Sequence, residues 1–125
     1  VCEFFMPQYA ARKGNVSAWR DAALAMADRD GMVVVFSLNL LDGGVQDKTG
    51  TWDCAGTGGL GTHGQNCRMT PAQVRDWGTL LGPAGCALLS WRYDSDFMAR
   101  PENQAALSEV ALALAPLPRR PCSVR

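Results

Sequence analysis

The chain has 125 residues and a mass of 13.4 kDa, enough for one modest core or for a piece of a larger domain. Its 12 basic and 12 acidic residues cancel, which argues against nucleic acid as a partner and against a polybasic membrane anchor. No apolar stretch approaches the ~20 residues of a transmembrane helix, and the first residues hold Glu3, Pro7 and Gln8 instead of a signal-peptide pattern.

In chain order, Val1 to Met6 begins abruptly on an apolar, aromatic-rich segment with the look of a strand already under way. Pro7-Gln8-Tyr9 ends it. A helix is expected over about 16–29, capped by Asn15 or Ser17, with Trp19, Ala22, Ala23, Met26 and Ala27 on its apolar face. Asp30-Gly31 closes that helix, since glycine accepts the left-handed conformation of a C-cap. Met32 to Leu38 follows as a nearly unbroken apolar run with three consecutive valines. That pattern suits a central parallel strand buried on both faces.

Residues 45–69 hold six glycines and no periodicity, and a loop of that length inside a compact domain is usually functional or disordered. Thr70-Pro71-Ala72-Gln73 then announces a second helix over 71–81: threonine caps, proline fits the first turn and glutamine can reach back. Its apolar face is Val74, Trp77, Leu80 and Leu81, and Gly82-Pro83 ends it. Cys86 to Trp91 reads as a third buried strand. A last helix over about 101–115 stops before Pro116 and Pro118.

The order is βαβαβα, which is parallel α/β architecture. Three units are few for a (βα)8 barrel of ~250 residues, and three strands alone leave bare edges. The chain is therefore expected to be the last three units of a TIM-like barrel, a unit completed by another subunit, or a minimal three-layer α/β domain, in that order.

Five cysteines fit neither CxxC spacing nor a zinc ribbon, which points to an oxidising, extracytoplasmic compartment, secreted or periplasmic. A Cys54 to Cys67 bridge can tie off the glycine-rich loop, contributing on the order of 3 kcal/mol. Cys122 can staple back to Cys86, leaving Cys2 over. The alternative, five unpaired thiols, stays open.

Polar residues gather at or beyond the C-terminal ends of the predicted strands, where parallel α/β proteins hold ligands. They are Gln8 and Tyr9 after the first, Asn39 and Asp42 after the second, and Trp91, Arg92, Tyr93, Asp94 and Asp96 after the third. Glu3 falls inside the first strand. Chains returning to solvent need polar residues there in any case. The lone histidine, His63, sits in GTHGQNC with no HExxH-like spacing, so no metal site is expected. The run GTGGLGTHG lacks the lysine of a phosphate loop, and Ser37 and Ser90 lack the flanking glycines of a nucleophile elbow, so no cofactor is expected.

The segments LNLLDGG and LLSWRYDSDF, joined by helices of the WRDAALAMADRDG type, resemble the last three βα units of secreted glycosidase-like TIM barrels. The resemblance implies carbohydrate as ligand, with Trp91 as the sugar-stacking platform and Glu3, Asp42 and Asp94 as the available carboxylates. Tyr9, Asn39, Arg92 and Tyr93 stand as further substrate-binding candidates. Asn39 occupies the place where the commonest retaining clan has a glutamate nucleophile, with Asp42 shortly after. Hydrolysis needs two carboxyl groups ~5 to 9 Å apart, one protonated and one ionised. A competing expectation is a non-catalytic, extrinsic scaffold subunit whose partner is another protein chain completing the sheet. It rests on the odd cysteine, the neutral charge and the lack of a complete catalytic set.

Overall fold

A computed structural model of the chain describes residues 4–5, 16–40, 68–91 and 94–123. The elements are β1 (Phe4–Phe5), α1 (Val16–Asp30), β2 (Val33–Asn39), α2 (Pro71–Leu81), β3 (Ala87–Trp91), α3 (Ser95–Met98) and α4 (Pro101–Leu114), with a 3-10 turn at Gly82–Ala84. The strands form one sheet in the order β1-β2-β3, and both pairings are parallel. The fold is mixed α/β. Among the described residues no helix is long and apolar enough to cross a membrane.

β2 is central, and its two faces differ. Val34, Phe36 and Leu38 are buried, whereas Val35, Ser37 and Asn39 on the opposite face are half-buried. The apolar run implied burial on both faces; composition alone does not say which face a neighbouring layer covers. Both α1 and α2 lie against β2 and touch each other, so they share one layer. Trp19 of α1 meets Phe36 with ring centroids 5.5 Å apart and planes tilted by 58°. Such a tilted pair suits the aromatic quadrupoles.

β3 departs from the buried strand expected at 86–91. Leu89 is 48% exposed and Ser90 is exposed. Among the described residues β3 is an edge strand with β2 as its one neighbour. A cavity of about 270 Å³ lies between Leu88 and Ser90 on β3 and Leu107, Ala111 and Leu114 on α4.

The helix α1 also turns differently from its predicted face. Val16, Ala23 and Ala27 are buried and Trp19 is half-buried, but Ala22 is exposed and Met26 is 43% exposed. Alanine weighs little in placing an apolar stripe, so the pattern located the face only to within one residue step. Ser17 lies within the helix and cannot cap it. At its other end Gly31 takes φ 66°, and Met32 N–H donates to the Ala27 carbonyl at 2.8 Å. This closes the helix in a Schellman arrangement and turns the chain straight into β2.

Thr70 and Gln73 form the capping box of α2. The Gln73 N–H donates to Thr70 Oγ1 at 3.2 Å, and the Thr70 N–H donates to Gln73 Oε1 at 3.0 Å. The helix packs chiefly on α4, and Gly78 sets how closely. A Cβ at Gly78 would lie 2.7 Å from both γ-methyls of Val110. Val110 is β-branched and has little χ1 freedom with which to retreat. Gly78→Ala is therefore expected to cost about 1 kcal/mol net: overpacking of roughly 1–3 kcal/mol exceeds the ~1 kcal/mol gain in helix propensity. In a Val110→Ala background the same change becomes stabilising. Urea unfolding of the four variants reads this coupling.

Candidate functional site

The C-terminal ends of β2 and β3 finish level, because the register pairs Asn39 with Trp91 as it pairs Leu38 with Ser90. Asn39 is half-buried on the more open face of the sheet. The next residue, Leu40, is 2% exposed, and its carbonyl accepts a hydrogen bond from the Met69 N–H at 2.9 Å. The chain thus leaves β2 and re-enters the described fold at the same point on the rim.

Arg68 stands at that re-entry. Its Nη2 lies 3.5 Å from Asp94 Oδ1, with the two side chains 15% and 26% exposed. Asp94 opens the segment after β3 and is the N-cap of α3, accepting the Phe97 N–H at 2.7 Å. One carboxylate therefore joins the two rim segments and starts a helical turn. A partly buried pair of this kind is screened by salt less than a surface pair.

That turn is braced from below. Phe97 is 1% exposed, and the buried Asn103 Nδ2 of α4 donates to the Phe97 carbonyl at 2.9 Å. Gln104 Nε2 donates to the Met98 carbonyl. The Phe97 and Met98 carbonyls of α3 thus accept side-chain donors from the first turn of α4, the Phe97 carbonyl in addition to the Arg100 N–H at 3.4 Å. Residues 94–98 are accordingly a fixed platform and not a free loop.

Of the sequence-derived candidates, Asn39, Trp91 and Asp94 thus come to one end of the sheet. Glu3, Tyr9, Asp42, Arg92 and Tyr93 lie outside the described residues, as do Cys54, Cys67 and His63. Cys86 and Cys122 are joined in a disulfide with their Cα atoms 5.0 Å apart. It lies at the other end of the sheet, one residue before β3. Among the described residues no group of three or more His, Cys, Asp or Glu is placed to hold a metal ion.

Sequence reasoning passed over Arg68, Phe97 and Asn103. The spacing Asp94-Ser95-Asp96-Phe97, a capping carboxylate three residues before an aromatic, is the signal that could have found the platform. Among the described residues, two ion pairs on the helices carry shifted pKa values. Asp30 is held below the usual carboxylate range by its hydrogen bond from Arg29, and Arg75 is raised by its hydrogen bond to Glu109. Both pairs lie on exposed helix surface, where such shifts are structural and carry no catalytic implication. No protein-family model, curated protein sequence or solved structure matches the chain.

Proposed function

We propose that the chain is part of a glycoside-hydrolase-like TIM barrel and that the rim formed by the C-terminal ends of its strands binds carbohydrate. The observation that carries this reading is the level, in-register finish of Asn39 and Trp91 beside the braced Asp94. Parallel strands in sequential order, with their connecting helices in one layer, are the repeat from which such barrels are built, and their ligands sit at that end. Trp91 supplies the stacking platform, and Asn39, Arg92, Tyr93 and Tyr9 are donors and acceptors for sugar hydroxyls. The proposed acid and base come from Asp42, Asp94 and Glu3. A disulfide between Cys86 and Cys122 is compatible with an extracytoplasmic setting.

Isothermal titration of the chain against a panel of soluble glycans tests the reading. Trp91→Ala is expected to weaken binding roughly tenfold or more. Asp94→Asn is expected to keep it, because asparagine caps a helix as well as aspartate, while any glycosidase activity that depends on the carboxylate is lost. Binding that is unchanged in Trp91→Ala removes the support for the rim.

A second reading, a non-catalytic scaffold subunit completed by another protein chain, is favoured by two observations. Leu89 is 48% exposed on the edge strand, and Asp94 is already engaged by Arg68 and the α3 cap. It predicts no glycan binding by the wild-type chain and a stable larger particle in sedimentation when the native partner is present.

A further inference from the structure

The end of the sheet away from the rim carries a second device, made from the residues after α4. Pro116 and Pro118 prevent the helix from continuing, and the Leu117 N–H donates to the Leu114 carbonyl at 3.1 Å as the chain turns away. Residues 118–123 are exposed and carry no regular structure. Their path is set by three contacts. Arg119 lines the cavity between β3 and α4. Arg120 Nη1 meets Asp28 Oδ1 near the end of α1 at 2.8 Å. Cys122 is bonded to Cys86, immediately before β3.

The segment therefore crosses the N-terminal edge of the sheet from α4 to α1. Pro121 and Ser123, with Ala27, Gly31, Met32 and Val33, line an open pocket of about 400 Å³ beside it. Among the described residues no backbone hydrogen bond ties residues 118–123 to the sheet. Among the described residues the segment is held by one covalent bond, one exposed ion pair and the packing of Arg119, Pro121 and Ser123 against the pocket walls, and an exposed pair contributes little.

We propose that residues 118–123 form a redox-released strap: the Cys86 to Cys122 disulfide holds it across the edge of the sheet, and reduction by a dithiol frees it and bares the pocket wall at Met32 and Val33. The two sulfurs are unequal in access, because Cys86 is 5% exposed and Cys122 is exposed. A thiolate of the dithiol attacks Cys122 Sγ, the bond to Cys86 Sγ breaks, and Cys86 leaves as a thiolate that takes up a proton. The second thiol of the reductant then resolves the mixed disulfide and releases Cys122 as a thiol. The net change is one protein disulfide converted to two thiols and one dithiol converted to a disulfide.

Opening is local because the buried cluster of Val34, Phe36, Val74, Leu81 and Val110 draws no residue from the strap. Segments held by few buried contacts open at less cost than the core. Limited trypsin digestion tests this at the bond between Arg119 and Arg120, in the oxidised chain, the chain reduced with dithiothreitol, and Cys122→Ser. The reduced chain and Cys122→Ser are expected to be cut roughly tenfold faster or more, because cleavage follows the population of the open form. The amide chemical shifts of α2 and α4 and the far-ultraviolet circular dichroism should stay unchanged, since the native structure outside the strap is kept. Arg120→Ala, still oxidised, should be cut within about twofold of the wild-type rate. Equal rates in the oxidised and reduced chains overturn the strap. So does loss of the native amide chemical shifts of α2 and α4 on reduction, since the bond would then be a staple of the whole fold.

Discussion

Replacing Phe36 with alanine is expected to remove about 4 kcal/mol of folding stability, near the middle of the range for a buried phenylalanine. Phe36 is fully buried at the centre of the middle strand, with Trp19 of α1 against one side of its ring. Its backbone pairs with Leu88 of β3, and its side chain also borders Gly85 at the entry to that strand. Truncation leaves a hole that α1, β2 and β3 border together. None of them can close it alone, because each is fixed by its other contacts. With a urea slope of ~2 kcal/mol/M for a chain of this size, the midpoint should fall by about 2 M. Leu89→Ala is the control. It removes a side chain of similar volume that is 48% exposed on the neighbouring strand, and is expected to cost less than about 1 kcal/mol. A Leu89→Ala loss equal to that of Phe36→Ala would mean that Leu89 is covered in solution, which is what the scaffold reading requires.

The parallel βαβαβα order was legible because helix ends and strands leave local marks. Thr70, Pro71 and Gln73 announce the start of α2, and the structure forms that capping box. Gly31 announces the end of α1 through a backbone conformation that other residues resist. Three valines in a row single out the central strand. The exposure of β3 was not legible, since CALLSW reads the same whether one or two layers cover it. Burial belongs to the neighbours a strand acquires, and apolar composition only permits it.

The rim was legible in part. Strand ends predict where polar residues gather, which located Asn39, Trp91 and Asp94. The ion pair of Asp94 with Arg68 bridges two segments far apart in sequence, and no spacing rule reports a contact of that kind. Asp94 also illustrates why a carboxylate at a strand end is ambiguous evidence for catalysis. Its cap on α3 and its pairing to Arg68 are reason enough for an aspartate at this position, whether or not it also meets a substrate. The Asn substitution separates these roles because it retains the cap and removes the charge.

Reducing the Cys86 to Cys122 bond is expected to lower the stability of the chain by about 4 kcal/mol, with the urea midpoint falling by about 2 M. The sequence separation is 36 residues, and the bond removes from the unfolded chain the freedom of a loop of that length. The loop includes β3, α3 and α4, so the bond restrains the whole C-terminal third of the unfolded chain while touching only the edge of the folded one. A large change in global stability can thus accompany a small change in native structure. The unfolded state loses a constraint, whereas the native state loses only its hold on the strap. Arg120→Ala separates the two effects. Both ends of its ion pair are exposed, at 42% and 60%, and its removal is expected to cost less than about 1 kcal/mol. A loss from Arg120→Ala comparable to that from reduction would place the stabilisation in contacts of the folded strap and not in the closed loop. A reduced chain that melts near the oxidised one would mean that the unfolded ensemble already holds residues 86 and 122 close together.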